Sequence, residues 1–192
     1  MPESAIHPVL SPFAPRPAFS DIYPLDEFYA ARKLPLPAIG RIEADEVPAP
    51  YHSLLVHRSD MTSTLEKFHG SKIHIEALAL HTTDNEYFRE VVLVLDGSLK
   101  PVEFGAIKII LDLFPQEAQQ EILNERSPLG RILSEHKVTF SSRPSAYLRV
   151  ESDAVIGAAL KLSGTHFLFG RRNTLVDQWD RPLAEIVEIL PP

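Results

Sequence analysis

The sequence of 192 residues contains no cysteine and no long apolar run. Without cysteine the chain has no disulfide framework, no thiolate metal site and no cysteine nucleophile. No apolar stretch approaches the roughly 20 residues that a membrane-spanning helix requires, and the first residues lack the basic and apolar segments of a secretory signal. These absences lead us to expect a soluble cytoplasmic protein.

Positive charge is also scarce, since 19 lysines and arginines are outnumbered by 26 aspartates and glutamates, which gives a formal net charge of -7. Such an acidic chain repels nucleic acid and anionic membrane surfaces, so we expect neither as a partner. The length suits one domain with a sizeable core, as a monomer or a small homo-oligomer.

The prolines are concentrated near the N-terminus, where ten of the 17 lie within residues 1–50. Proline removes a backbone donor and restricts the residue before it, so we predict an arm over 1–52 that is extended and irregular rather than sheet. Within it we predict one short helix over 26–31, with Phe28 and Tyr29 packed inward. The arm's large apolar residues, which predict packing on the domain rather than disorder, are Phe13, Phe19, Ile22, Tyr23, Leu25, Phe28 and Tyr29.

Residues 53–192 show the alternating apolar patterns and turn signals of a domain rich in strands. Strands outnumber helices and several are joined by short connections. This pattern predicts an α+β fold, with a single antiparallel β-sheet and helices packed on one face. The predicted strands cover 53–57, 72–81, 86–95, 102–110, 145–150, 165–175 and 183–190. The predicted helices cover 63–69, 115–124 and 127–134.

Familiar catalytic motifs are absent from the sequence. It has no glycine-rich phosphate loop, no Gly-x-Ser-x-Gly elbow and no His-Glu-x-x-His helix. The eight histidines are scattered and form no tight ligand cluster. We therefore expect neither a bound metal nor a cofactor.

An arginine at the head of a long apolar strand is the most informative feature of the chain. In an extended strand, Arg89 shares a face with Val91, Leu93 and Leu95. A guanidinium on a core face requires an anionic partner. Two partners are open: a core glutamate of the protein, or the carboxylate of a ligand, which suits the planar guanidinium fork.

A glutamate in the last predicted strand, Glu188, is the second candidate. It shares a face with Ile186, and a carboxyl buried there can donate or accept a proton. The opposite phase, which buries Val187 and its neighbours instead, is equally regular. A direct pair between Glu188 and Arg89 explains both residues without a ligand.

Three short segments carry weaker signals. Ser127-Pro128-Leu129-Gly130 places free backbone N–H groups at a helix start, where an anion can bind. Gly105, inside a strand of large residues, marks either a bulge or the close approach of another group. We interpret the basic stretch Phe169-Gly170-Arg171-Arg172-Asn173 as a solvated turn rather than a nucleic-acid contact.

Taken in order, these segments resemble the chorismate pyruvate-lyases and the wider chorismate lyase-like superfamily. The resemblance covers residues 59–191 and rests on the ordered series rather than on any single motif. The matching segments are Asp60-Met61-Thr62, Phe88-Arg89-Glu90-Val91, Asp96-Gly97, Gly105, Ser127-Pro128-Leu129-Gly130, Gly170-Arg171-Arg172 and Glu188-Ile189-Leu190-Pro191.

The resemblance implies a cofactor-independent lyase that converts chorismate to 4-hydroxybenzoate and pyruvate. It also implies that Arg89 and the backbone at Leu129 hold the ring carboxylate, and that Glu188 contacts the ring oxygen at C4. Met61 and Gly105 are implied to line the pocket. The implied partner is a small aromatic or cyclohexadiene carboxylate.

Two alternatives with the same fold stay open. Related domains serve as effector sensors in transcription regulators, and such a pocket binds an aromatic acid without turnover. The chain shows no helix-turn-helix ahead of the domain, which counts against this alternative. The other is a lyase that acts on an analogue of chorismate, such as an amino-substituted one.

Overall fold

A computed structural model describes residues 20–192, so Phe13 and Phe19 of the arm lie outside the described residues. The strands are β1 (Ile39–Ile42), β2 (Ile73–Thr82), β3 (Glu86–Leu95), β4 (Pro101–Ile110), β5 (Ser141–Glu151), β6 (Phe167–Val176) and β7 (Pro182–Leu190). The helices are α1 (Leu25–Ala31), α2 (Tyr51–Leu55), α3 (Met61–His69), α4 (Gln116–Leu123), α5 (Leu129–Glu135) and α6 (Ala154–Ala159).

The seven strands form one sheet in the order β1-β5-β6-β7-β4-β3-β2. Every neighbouring pair in it is antiparallel. The predicted α+β fold with a single antiparallel sheet is therefore confirmed. Within residues 20–192, no helix is long and apolar enough to cross a membrane.

Four helices cover one face of the sheet. Leu65 of α3 packs in one cluster with Val91 of β3, and Ile132 of α5 packs in an adjoining cluster with Ile107 of β4. These two strand residues lie on the face of Arg89, because Arg89 pairs with Ile107 across β3 and β4. The other face is covered by α1 and α6, whose apolar residues pack against the centre of the sheet. Both faces of the central strands are therefore buried.

The arm contributes more regular structure than its prolines predict. The helix predicted over 26–31 is present as α1, and Phe28 and Tyr29 are fully buried. The prediction that the arm contains no sheet is wrong, because Ile39–Ile42 pairs with β5 as an edge strand. This segment contains no proline, and an edge strand requires hydrogen bonds on one side only.

An ion pair also joins the arm to the sheet. Arg32, which follows α1, donates to both carboxylate oxygens of Glu90, one of them at 2.8 Å from Nη1. Glu90 lies on the sheet face opposite Arg89 and is completely buried. The arm thus provides the positive charge that this buried carboxylate requires.

Two other predictions of local structure differ from the fold. Residues 53–57 are not a strand, because Tyr51–Leu55 forms α2 and buries the adjacent residues Leu54 and Leu55. A run of three apolar residues does not distinguish a short helix from a short strand. The helix Ala154–Ala159 was not predicted, although Asp153 caps it by accepting a hydrogen bond from the amide of Ile156 at 2.9 Å.

Candidate functional site

A cavity lies between the sheet and the starts of α3 and α5. Its volume of about 60 Å³ corresponds to about four to six water molecules, which is the scale of one small ring. The walls are mostly apolar, and two helices close the side opposite the sheet. All five residues predicted as site residues from the sequence line this one cavity: Met61, Arg89, Gly105, Leu129 and Glu188.

The strand register brings these residues together. Val91 of β3 pairs with Gly105 of β4, which pairs with Glu188 of β7. Glu188 in turn pairs with Arg171 of β6. Residues that are paired directly across strands point to the same face, so this row forms part of the cavity floor. Arg89 lies two residues along β3 from Val91 and therefore points to the same face.

Capping of α3 positions the methionine of the site. Asp60 accepts a hydrogen bond from the amide of Ser63 at 2.8 Å, and Gly70 ends the helix in the left-handed conformation. The helix therefore begins at Met61, earlier than the predicted residue 63, and Met61 is buried in the cavity wall. A Cβ at Gly130 of α5 would lie 2.6 Å from the Asp60 carboxylate, so the two helix starts are in close contact.

Arg89 has no hydrogen-bond partner for two of its nitrogens. The residue is 2% exposed, and its Nε and Nη1 atoms lack an acceptor among the residues that the structure describes. Burial lowers its pKa, although the nearby Tyr87 and Glu125 raise it, and an arginine keeps its proton in either case. A buried cation with unpaired donors is costly unless a ligand completes the site.

Glu188 is paired with a different arginine from the one considered in the sequence analysis. Its carboxylate accepts from Nε of Arg171, so the direct pair between Glu188 and Arg89 is not present. Glu188 is 4% exposed and points to the same face of the sheet as Ile186. The face to which Val187 points is covered as well, because β7 lies in the centre of the sheet and has helices on both sides.

Arg171 is enclosed by groups that accept its protons. In addition to Glu188, its Nη1 donates to the carbonyl oxygens of Leu55 and His57, both at 3.1 Å. Burial, followed by the charge of Arg171, lowers the pKa of His57, which keeps its imidazole neutral near pH 7. Arg171 therefore ties the chain after α2 to the centre of the sheet.

The interpretation of residues 169–173 as a solvated turn is wrong. They lie in the middle of β6, and Arg171 is 0% exposed. The physical reason is the register, since Glu188 lies directly opposite Arg171 and neutralises it. A cross-strand partner 17 residues further along the chain is not visible in a local pattern of charge.

A second buried carboxyl in the cavity was missed. Glu103 of β4 is 5% exposed, and its Oε2 atom has no hydrogen-bond partner among the described residues. Burial first, and the nearby Glu188 second, raise the pKa of Glu103 well above its ordinary value of 4.5, while Arg171 lowers it. The signal was present in the sequence, because Glu103 alternates with Gly105 and Ile107 on one apolar face.

The raised pKa of Glu103 predicts a pH dependence of stability. A carboxyl that holds its proton more tightly in the folded state favours folding at low pH, and this contribution is lost as the pH rises from about 4.5 towards the raised pKa. Relative to the non-titrating variant Glu103→Gln, the wild-type protein should lose up to about 1.4 kcal/mol of stability per pH unit in this range. Urea unfolding of both proteins at pH 5, 6 and 7 measures the difference. Parallel pH profiles for the two proteins would contradict the prediction.

Gly105 marks a close approach of backbone from the next strand. A Cβ at this position would lie 2.0 Å from the carbonyl oxygen of Val187. No register shift occurs at Gly105 in either of its strand pairs. Of the two explanations considered for this glycine, the close approach is correct and the bulge is not.

This contact predicts that Gly105→Ala destabilises the fold strongly. Because the clash is with backbone rather than with a flexible side chain, we expect a loss of about 3 kcal/mol or more. The matched control is Gly157→Ala in α6, where a Cβ meets nothing within 4 Å and helix propensity improves by up to about 1 kcal/mol. The thermal unfolding midpoints of the two variants measure the difference. If the midpoints are equal, the strands move apart to accommodate the added Cβ and the prediction is wrong.

No group of three or more histidine, aspartate or glutamate side chains in residues 20–192 is arranged to hold a metal ion. The carboxyls of the cavity, Glu103 and Glu188, have Arg171 beside them rather than further acidic ligands. The chemistry of the cavity is therefore that of an anion-binding end at Arg89 and a carboxyl-rich end at β4 and β7.

Comparisons with known proteins support the fold but do not identify the protein. No protein-family model and no curated protein matches the chain. Among solved structures, PhnF from Mycobacterium smegmatis is similar with a TM-score of 0.55 and 16% identity, over 71% of this chain and 65% of that one. This chain therefore covers slightly less than two thirds of PhnF.

Single domains match over more of their own length. The effector domain of PhnF has a TM-score of 0.52 and 16% identity, over 69% of this chain and 88% of that domain. The ligand-binding domain of a GntR-family transcriptional regulator from Bordetella bronchiseptica has a TM-score of 0.45 and 12% identity, over 62% and 85%. At these identities the likeness to PhnF shows a shared α+β fold and nothing finer.

Proposed function

We propose that the cavity binds a small ring carboxylate and that the domain acts as a ligand-sensing module without turnover. The observation that carries this proposal is the buried guanidinium of Arg89, whose Nε and Nη1 have no partner among the described residues. A carboxylate suits this site, because each free guanidinium N–H can donate a charge-assisted hydrogen bond to a carboxylate oxygen. Leu129, at the start of α5, lies in the same wall, and its backbone amide is the proposed second donor.

The walls of the cavity favour a ring as the body of the ligand. Val91, Leu93 and Ile107 from the sheet and Met61 from α3 present apolar surface beside Arg89. Pockets of this kind bury most of a small ligand against apolar side chains and orient it through a few polar groups. An aromatic or cyclohexadiene carboxylate meets both requirements.

Two considerations favour sensing over catalysis. One solved structure, which is similar to this chain over 88% of its own length, is named an effector domain, and we transfer that role here as a proposal. In addition, Glu188, the residue expected to act on the ring oxygen, is held by Arg171 in a buried ion pair. A carboxylate fixed in this way serves the structure of the sheet and is poorly placed to carry protons.

A chorismate lyase, or a lyase acting on a chorismate analogue, is the second candidate. The observation that favours it is the pair of carboxyls at the end of the cavity away from Arg89, where burial raises the pKa of Glu103 and Arg171 contacts Glu188. Such a pair can assist proton movement. Aromatisation drives the release of pyruvate, so orientation and modest charge stabilisation suffice for the protein's part.

One experiment separates the candidates. The purified protein is incubated with chorismate, and with an amino-substituted analogue, while pyruvate and the aromatic product are followed; 4-hydroxybenzoate binding is titrated by calorimetry. Binding without product above the spontaneous rate supports the sensing module. Enzymatic release of pyruvate supports a lyase, and the preferred substrate identifies which one. If the protein shows no binding and no turnover, both proposed functions are refuted.

The proposed partner is therefore a small molecule. The expectation that nucleic acid is not a partner gains no support from the comparisons, because a domain named as part of a transcriptional regulator is among the similar structures. The acidic composition from which we drew that expectation describes these 192 residues only.

A further inference from the structure

The cavity contains two buried polar groups that no residue in the described range 20–192 satisfies. At one end are Nε and Nη1 of Arg89, and at the other is Oε2 of Glu103. Both residues line the same cavity. Buried polar groups without partners are rare in folded proteins, and a pair of them in one cavity indicates two points of attachment for one ligand.

From this arrangement we infer that Glu103 is a specificity-determining residue, which selects ring carboxylates that carry a hydrogen-bond acceptor opposite the carboxylate. The inference rests on the proposed binding function and adds the second point of recognition. It assigns the distal contact to Glu103 of β4 rather than to Glu188 of β7, whose carboxylate is already occupied by Arg171.

The direction of the hydrogen bond follows from the surroundings of Glu103. Burial and the neighbouring carboxylate of Glu188 raise its pKa, so the carboxyl is protonated near neutral pH and donates its proton. Arg171 does not satisfy it, because its Nε and Nη1 donate to Glu188, Leu55 and His57. Glu103 lines the cavity, and we assign its carboxyl the role of a neutral hydroxyl donor there.

The spacing of the two groups leaves room for a ligand between them. Arg89 pairs with Ile107, and Glu103 lies four residues from Ile107 on the same face of β4. A rise of about 3.4 Å per residue separates the backbone at these two positions by about 14 Å along the strands. The two side chains therefore start from opposite ends of the cavity, which suits contacts with opposite substituents of one ring.

The test compares three probes on the wild-type protein by calorimetry: 4-hydroxybenzoate, benzoate and 4-aminobenzoate. A donor at Glu103 favours the 4-hydroxy compound, and we expect it to bind about 10- to 100-fold more tightly than benzoate. An amino group is a poor acceptor, so 4-aminobenzoate should bind little better than benzoate. Equal affinity for 4-amino and 4-hydroxy compounds would overturn the inference, because it would indicate an ionised Glu103 that accepts.

Variants assign the discrimination to the residue. Glu103→Leu should bring the ratio of affinities for 4-hydroxybenzoate and benzoate close to one, whereas Glu103→Gln, which can still donate through its amide, should keep part of it. The matched control is Glu76→Leu on β2, an exposed glutamate outside the cavity, which should leave the ratio unchanged. If Glu103→Leu keeps the wild-type ratio, the inference fails while the proposed function stands.

A measurement without ligand distinguishes a recognition role from a structural one. Because Glu103→Leu removes a buried polar group that lacks a partner, its melting temperature should rise by a few degrees. A fall of similar size would show that Glu103 supports the fold and would overturn the inference. If the wild-type protein binds none of the three probes, the proposed function itself fails, and the inference fails with it.

Discussion

Replacing Arg171 with leucine is expected to lower the free energy of unfolding by about 3–5 kcal/mol. The substitution leaves the buried carboxylate of Glu188 without its positive partner, and the carbonyl oxygens of Leu55 and His57 lose their donor. Since a domain of this size has a total stability of about 5–15 kcal/mol, this loss approaches global unfolding. Urea denaturation followed by circular dichroism measures it.

The neighbouring arginine provides a matched control. Arg172 points to the opposite face, is partly exposed and contacts Glu185 at 3.3 Å, so Arg172→Leu should cost at most about 1 kcal/mol. If Arg171→Leu is no more destabilising than Arg172→Leu, the ion pair between Arg171 and Glu188 does not hold β6 and β7 together in the way we describe.

Replacing Arg89 with leucine is expected to weaken ligand binding strongly and to affect stability little, in contrast to Arg171→Leu. The variant should lose about 100-fold or more in affinity for a ring carboxylate, because two charge-assisted hydrogen bonds to the ligand disappear. Its stability without ligand should change by no more than about 1 kcal/mol, since Nε and Nη1 of Arg89 bond to no described residue and the nearby Glu125 is only half-buried. Calorimetric titration of 4-hydroxybenzoate and thermal unfolding of the same variant provide both values.

The comparison of the two arginines is the informative result. Both are among the largest completely buried side chains, and both point to the same face of the sheet. If Arg89→Leu unfolds as readily as Arg171→Leu while its affinity for the probe is unchanged, Arg89 serves the fold and the proposed binding site is refuted.

Much of the fold follows from local patterns in the sequence. Alternation of apolar residues predicted six of the seven strands, including β3 with its observed bounds. The same alternation placed Arg89 on a core face, where it is found. The five residues suggested by the resemblance line one cavity, although their roles in binding stay predictions that the variants above can test.

Proline content predicted the arm less well. The helix α1 was anticipated because its apolar residues are adjacent in sequence, but the strand β1 was not. Four residues without proline carry too weak a pattern to indicate a strand. Only the exposed edge of β5, which accepts them as a partner, gives this segment its structure.

The sequence by itself determined that the cation of Arg89 lies on a buried face of the sheet, because side-chain direction along a strand depends only on the alternation of residues. Only the tertiary structure decided which charges meet. The register of β6 on β7 places Arg171 beside Glu188, whereas Nε and Nη1 of Arg89 and Oε2 of Glu103 have no partner in the part of the chain that the structure describes. Strand order and register are set by contacts between residues far apart in the chain, and the partner of a buried charge is decided at that level.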